Sequence, residues 1–87
     1  MVEVKGTWAN ASSSGVELTG REVLIGTQHG RDFWLYVVDN CQNGTGNIFG
    51  VYQDPIRIFH DALAGAANVR VPGSALTAAR DINGEPR

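Results

Sequence analysis

Phe33-Trp34-Leu35-Tyr36-Val37-Val38 is the longest run of aromatic and β-branched residues in the chain. No polar residue interrupts it, the pattern of a strand covered on both faces. Such a strand belongs at the centre of a sheet, so the sequence on either side must supply its neighbours. Downstream, Asp39-Asn40-Cys41-Gln42-Asn43-Gly44-Thr45-Gly46-Asn47 is a turn rich in Asn and Gly, and Ile48-Phe49-Gly50-Val51-Tyr52-Gln53 reads as a second strand. The short polar link predicts an antiparallel hairpin. Upstream, Val2-Glu3-Val4-Lys5-Gly6 alternates valines with charges and reads as a third strand. A helix lies between it and the central run, so those two strands are parallel, joined by a right-handed crossover.

The crossover helix is well marked. Thr19-Gly20-Arg21-Glu22 matches a capping box, with Thr19 as cap and Glu22 reaching back to its amide. Val23, Leu24 and Ile25 follow, and Gly30 stands where a helix C-terminus favours glycine, giving a helix over 20–29. Gly20 and Gly26 each cost that helix about 1 kcal/mol against alanine, so packing must hold it. Residues 7–15 are small and polar and read as a flexible loop, with Trp8 packed on the sheet edge. Val16-Glu17-Leu18 forms a short extended piece. After the hairpin, Asp54 caps a helix with Pro55 at its first position. Its apolar face holds Ile56, Phe59, Ala62 and Leu63, while Arg57, His60 and Asp61 face outward, and Gly65 closes it. Val69-Arg70-Val71 is a short strand, and Ser74 caps a last weak helix through Arg80. The predicted class is α/β, a small three-layer-like β-α-β-β-α unit on a mixed three-stranded sheet. Residues 1–65 form the core, 66–80 an appended strand and helix, and 81–87 a flexible tail.

Eighty-seven residues bound the chain to one domain, which buries roughly 60–65% of its unfolded surface. A net charge of −2 offers no basic footprint, so non-specific nucleic-acid binding is not favoured. Cys41 is the only cysteine, which rules out an internal disulfide and a multi-cysteine zinc site and points to a reducing, cytoplasmic setting. No apolar run approaches the length of a membrane span. Asn10-Ala11-Ser12 and Asn43-Gly44-Thr45 match the glycosylation acceptor pattern but read as loop residues. Met1 stands directly before the first strand, so Val2–Gly6 is either a true edge or the neighbour of an upstream strand. An edge of that kind recruits a protein partner or a second copy.

Strand alternation sets Glu3 and Lys5 side by side on one face, with Val2 and Val4 on the other. An acid and an amine so placed can hold a divalent metal and steady a phosphate or water. Without further context, a solvated ion pair on a strand next to the terminus is the better account of them. His29 and His60 have no ligand-like spacing, and His29 at a helix C-terminus suits the dipole. Asp39 and Asp54 stand at strand ends, where acids commonly cap turns and helices. Ser12, Ser13 and Ser14 have no base placed to activate them, and Cys41 has no basic neighbour to lower its pKa.

Taken in order, Val2-Glu3-Val4-Lys5-Gly6, the Leu18-Thr19-x-x-Glu22 helix start, Phe33-Trp34-Leu35-Tyr36-Val37-Val38-Asp39-Asn40 and Gln53-Asp54-Pro55 resemble the NO VEIN C-terminal domain family. The resemblance covers about residues 2–59. It implies kinship with the PD-(D/E)xK nucleases, hence a restriction-endonuclease-like fold, truncated here, and metal-dependent phosphodiester chemistry. Carried over, Glu3 is the metal-ligating acid of the ExK motif, the Val4 backbone carbonyl a further ligand, and Lys5 the residue that orients water or stabilises phosphoryl charge. Glu22 matches a frequent family position, although its capping role explains it as well. The superfamily's second carboxylate, on the strand before ExK, has no counterpart ahead of Val2. One carboxylate holds Mg²⁺ weakly, so Glu3 and Lys5 form an incomplete or vestigial catalytic pair. The expectation is an accessory or interaction module in isolation, and alternatively a nuclease-related domain completed by another segment.

Overall fold

The computed structural model describes residues 1–60 and 69–82. In chain order these form β1 (Val2–Gly6), α1 (Ala11–Ser14), β2 (Val16–Leu18), α2 (Gly20–His29), β3 (Trp34–Asp39), β4 (Asn47–Gln53), α3 (Pro55–Ile58), β5 (Val69–Val71) and α4 (Gly73–Ile82). The main sheet has the order β1-β3-β4. β1 runs parallel to β3 with Val4 beside Tyr36, and β4 runs antiparallel with Val51 on the other side of Tyr36. The α/β class, the mixed three-stranded sheet and the sheet order are those the sequence predicts.

The predicted burial of both faces is not found. Along β3, Leu35, Val37 and Asp39 are buried while Trp34, Tyr36 and Val38 are only half-buried. The covered face meets Leu18, Tyr52, Phe59, Val71 and Leu76 in one apolar cluster. On the opposite face Val2 and Val4 remain 54% and 58% exposed, and Ile48 is exposed beside Val38. A continuous apolar run looks alike whether its second face is buried or merely apolar, which is why the composition misleads here.

Four local expectations also change. Residues 11–14 are a helical turn rather than loop, because Asn10 Oδ1 accepts the Ser12 amide at 2.9 Å and buried Asp39 accepts the Ala11 amide at 3.2 Å. Trp8 does not pack on the sheet; its side chain is 72% exposed. Asp54 is not a side-chain cap: its backbone is left-handed, its carboxylate meets Arg57 Nε at 3.3 Å, and α3 is one turn. α4 starts at Gly73, so Ser74 lies inside the first turn and Pro72 supplies the carbonyl for Ala75 and Leu76. The calls on Asp61, Ala62, Leu63, Gly65 and the tail from residue 83 fall outside the described residues.

The two short extended pieces pair with each other. β2 and β5 form an antiparallel ribbon, Val16 beside Val71 and Leu18 beside Val69. Gly15, before β2, has φ +66°, and a Cβ there would strike the Val71 carbonyl. Val71, Leu76 and Ala79 therefore share the buried cluster of the sheet. Tyr52 links the two regions: its hydroxyl donates to the Leu76 carbonyl at 2.8 Å, and its ring meets Phe59 edge-on at 5.2 Å. Burial pushes this phenol's pKa up to about 12 against the opposing pull of Arg80.

α2 occupies the predicted residues, with both capping-box bonds present. Gly26 is its buried residue, and a Cβ there would lie 2.7 Å from Ile56 Cγ1 and 3.3 Å from the Phe33 ring. The helix propensity lost at this glycine is thus exchanged for a close approach to α3. Gly26→Ala is expected to destabilise by about 1–3 kcal/mol through overpacking, instead of the roughly 1 kcal/mol gain that propensity alone would give. Urea unfolding followed by Trp fluorescence measures the difference.

Candidate functional site

Glu3, Lys5 and Glu22 converge on the covered side of β1. Register places Glu3 beside Leu35 and Lys5 beside Val37, so both side chains point towards α2. The capping box then fixes Glu22, whose Oε1 accepts the Thr19 amide at 2.9 Å. From there Glu22 also meets Lys5: the ammonium lies 2.8 Å from Oε1 and 3.0 Å from Oε2. Glu3 is a looser partner of the same ammonium at 3.9 Å. All three side chains are only 19–31% exposed.

Partial burial and the nearby Glu22 carboxylate raise the pKa of Glu3, against a smaller opposing pull from Lys5. Burial pushes Glu22 up as well, but hydrogen bonds from Lys5 and the Thr19 amide outweigh it and hold the carboxyl below the usual range. The pair is thus unequal, with Glu22 the firmly ionised member. The Lys5 ammonium contacts both carboxylates, so a divalent ion held by the two would have to displace it. The Val4 carbonyl is turned to the free edge of β1, away from this cluster. Among the described residues no group of three or more His, Cys, Asp and Glu side chains is placed to hold a metal ion.

An open cleft of about 460 Å³ adjoins the cluster. Residues 5–8 form one wall, and residues 14–19 with Arg70 form the other. Arg70 donates to the Ser14 carbonyl and lies 4.0 Å from Glu17, so its charge is partly spent within the wall. From the sequence, Trp8 has a packing role on the sheet edge and Arg70 no site role. Arg70 reaches the cleft because β2 pairs with β5, a long-range contact that no local spacing announces.

The remaining sequence candidates lie apart. Asp39 is buried under α1, and Cys41 is half-buried with Sγ 3.9 Å from the Val38 carbonyl. His29 ends α2 and is exposed, as is His60 after α3. No described helix is long and apolar enough to cross a membrane.

In comparison with protein families the chain matches the model described as "Protein NO VEIN, C-terminal" over residues 1–51. The chain belongs to this family. The matched span begins at the ExK strand and ends inside β4, before the Gln53-Asp54-Pro55 segment. It therefore takes in β1, the crossover, β3 and the cluster of Glu3, Lys5 and Glu22. No curated protein and no solved structure matches the chain.

The opposite shifts of the two glutamates set their pH behaviour. Glu22 has a lowered folded-state pKa, so its stabilisation is complete above the ordinary value of 4.5 and is lost as pH falls through the folded value. Glu22→Ala is expected to cost about 1–2 kcal/mol at pH 7, from the capping bond and the Lys5 pair. The gap from the parent should close in acid. For Glu3 the sign reverses, since its raised folded-state pKa makes ionisation oppose folding at neutral pH. Glu3→Gln should be neutral or slightly stabilising at pH 7. Chemical denaturation across pH 3–8 tests both.

Proposed function

We propose that this member of the NO VEIN C-terminal family is a non-catalytic interaction module that takes an extended protein segment along the free edge of β1. The carrying observation is that edge. Among the described residues β1 is the outermost strand of its sheet, and it borders the cleft walled by residues 14–19. Its exposed Val2 and Val4 would add apolar contact to backbone pairing. The engagement of Lys5 by Glu22 at 2.8 Å supports the non-catalytic half of the reading, because the amine is neutralised and the carboxylate is held at its cap. A net charge of −2 adds no steering towards nucleic acid.

A second reading has its own support in the convergence of Glu3, Lys5 and Glu22. In it the domain is related to the PD-(D/E)xK nucleases and becomes active when another segment supplies the missing acid. Glu3 would then be a ligand to a weakly held Mg²⁺, the Val4 carbonyl could join it only by turning from the strand edge it now faces, and Lys5 would have to leave Glu22.

Two assays separate the readings. The purified chain is expected to leave single-stranded and duplex DNA and RNA intact with magnesium or manganese. Metal-dependent cleavage that disappears in both Glu3→Gln and Lys5→Ala would overturn the non-catalytic reading. For the edge, Val4→Pro removes an N–H that points away from β3, so the fold should tolerate it. Extended peptides selected from a random displayed library on the parent chain should lose binding to Val4→Pro by tenfold or more. A selection that yields no binders, or binders indifferent to Val4→Pro, would count against the edge.

A further inference from the structure

The backbone bonds at the two ends of β1 show which of its groups are spare. The Trp34 amide donates to the Met1 carbonyl at 2.9 Å, and the Thr7 amide donates to the Val38 carbonyl at 2.8 Å. In a parallel ladder alternate residues carry the bonds, so residues 1, 3, 5 and 7 face β3. Val2, Val4 and Gly6 accordingly turn their N–H and C=O groups outward.

We infer that β1 pairs with β1 of a second copy of this chain, antiparallel and centred on Val4, and so joins the two sheets edge to edge. The inference rests on the reading of this edge as an interaction surface and names its occupant. Charge selects the register. An antiparallel pairing of these outward groups that is shifted towards the N-terminus sets Glu3 against Glu3. The opposite shift sets Lys5 against Lys5. Centred on Val4, each Glu3 stands directly across from the second copy's Lys5, in the closely spaced positions where side chains interact most. Val2 then lies opposite the second copy's Gly6, and every outward N–H and C=O in the strand finds a partner. By symmetry the second copy's Lys5 is itself held by its Glu22 at 2.8 Å, so the cross-strand contact adds Glu3 to an existing ion pair and selects the register without supplying a free cation.

The pairing is closed by symmetry. A two-fold axis perpendicular to the sheet makes the contact isologous and keeps both helical layers on one side. Val2 and Val4 of both copies then form one apolar strip on the open face, continuous with Trp34 and Tyr36. A single strand pair buries little area, so the dimer is a weak one, populated at micromolar to millimolar concentration.

Cross-linking reads the register directly. Centred pairing brings the two Val4 Cα atoms to about 5.5 Å, inside the range of about 4.4–6.8 Å that a disulfide spans. The two Val2 positions lie roughly 13 Å apart. In a Cys41→Ser background, Val4→Cys should oxidise to a covalent dimer while Val2→Cys should not. Sedimentation of the parent chain should show concentration-dependent dimers. Glu3→Lys places like charges across both symmetric pairs and should weaken the dimer about tenfold or more. Equal cross-linking of Val2→Cys and Val4→Cys, an unaltered dimer in Glu3→Lys, or a chain monomeric throughout would overturn the inference. A monomeric chain whose selected peptides still depend on Val4 would leave the edge reading standing and remove only its self-pairing. Loss of peptide binding as well would remove both.

Discussion

The parallel pairing of β1 with β3 is the constraint on which the remaining structure depends. A parallel pair cannot be closed by a tight turn; the chain must travel back along the sheet before the second strand begins. Residues 7–33 make that journey here, and in doing so they place α1, β2 and α2 on one face of the sheet. Among the contacts that hold the crossover down are Asp39 under the start of α1, Lys5 under the start of α2, and Gly26 against Ile56. Each joins two residues well separated in sequence, as a return connection requires.

Lys5 and Glu22 show how such a restraint competes with chemistry. A lysine on the first strand and a glutamate at the first turn of the crossover helix are near enough to react with a substrate or with each other. Here they bind each other, and Glu22 is simultaneously the return half of its capping box. The tie fixes α2 to the strand that precedes it, at the expense of a free amine and a mobile carboxylate. Glu3 is left as the more adaptable acid, with its ionisation weakened by burial and by Glu22. Lys5 and Glu22 thus serve the stability of the fold, whereas the ionised form of Glu3 does not.

The other face of the sheet follows a different logic. All the buried apolar residues lie on the crossover side, and the far side keeps valines, an isoleucine and half-buried aromatic rings in contact with solvent. Surfaces of this kind on small proteins are commonly sites of contact. The exposed backbone edge of β1 borders that face, so pairing at the edge would extend an apolar surface as well as a hydrogen-bond ladder.

Local signals in the sequence determined α2 to the residue, the hairpin of β3 and β4, the parallel first strand, and the juxtaposition of Glu3 with Lys5. Capping boxes, Asn-Gly turns and strand alternation act within a few residues, so they are legible without the fold. The tertiary structure alone decided that β2 and β5 pair across more than fifty residues, that Asp39 reaches the Ala11 amide to secure α1, and that Glu22 reaches Lys5. It also decided that one face of β3 stays open, which its apolar run could not reveal. Propensity records what a residue tolerates, whereas burial depends on which distant segments arrive to cover it.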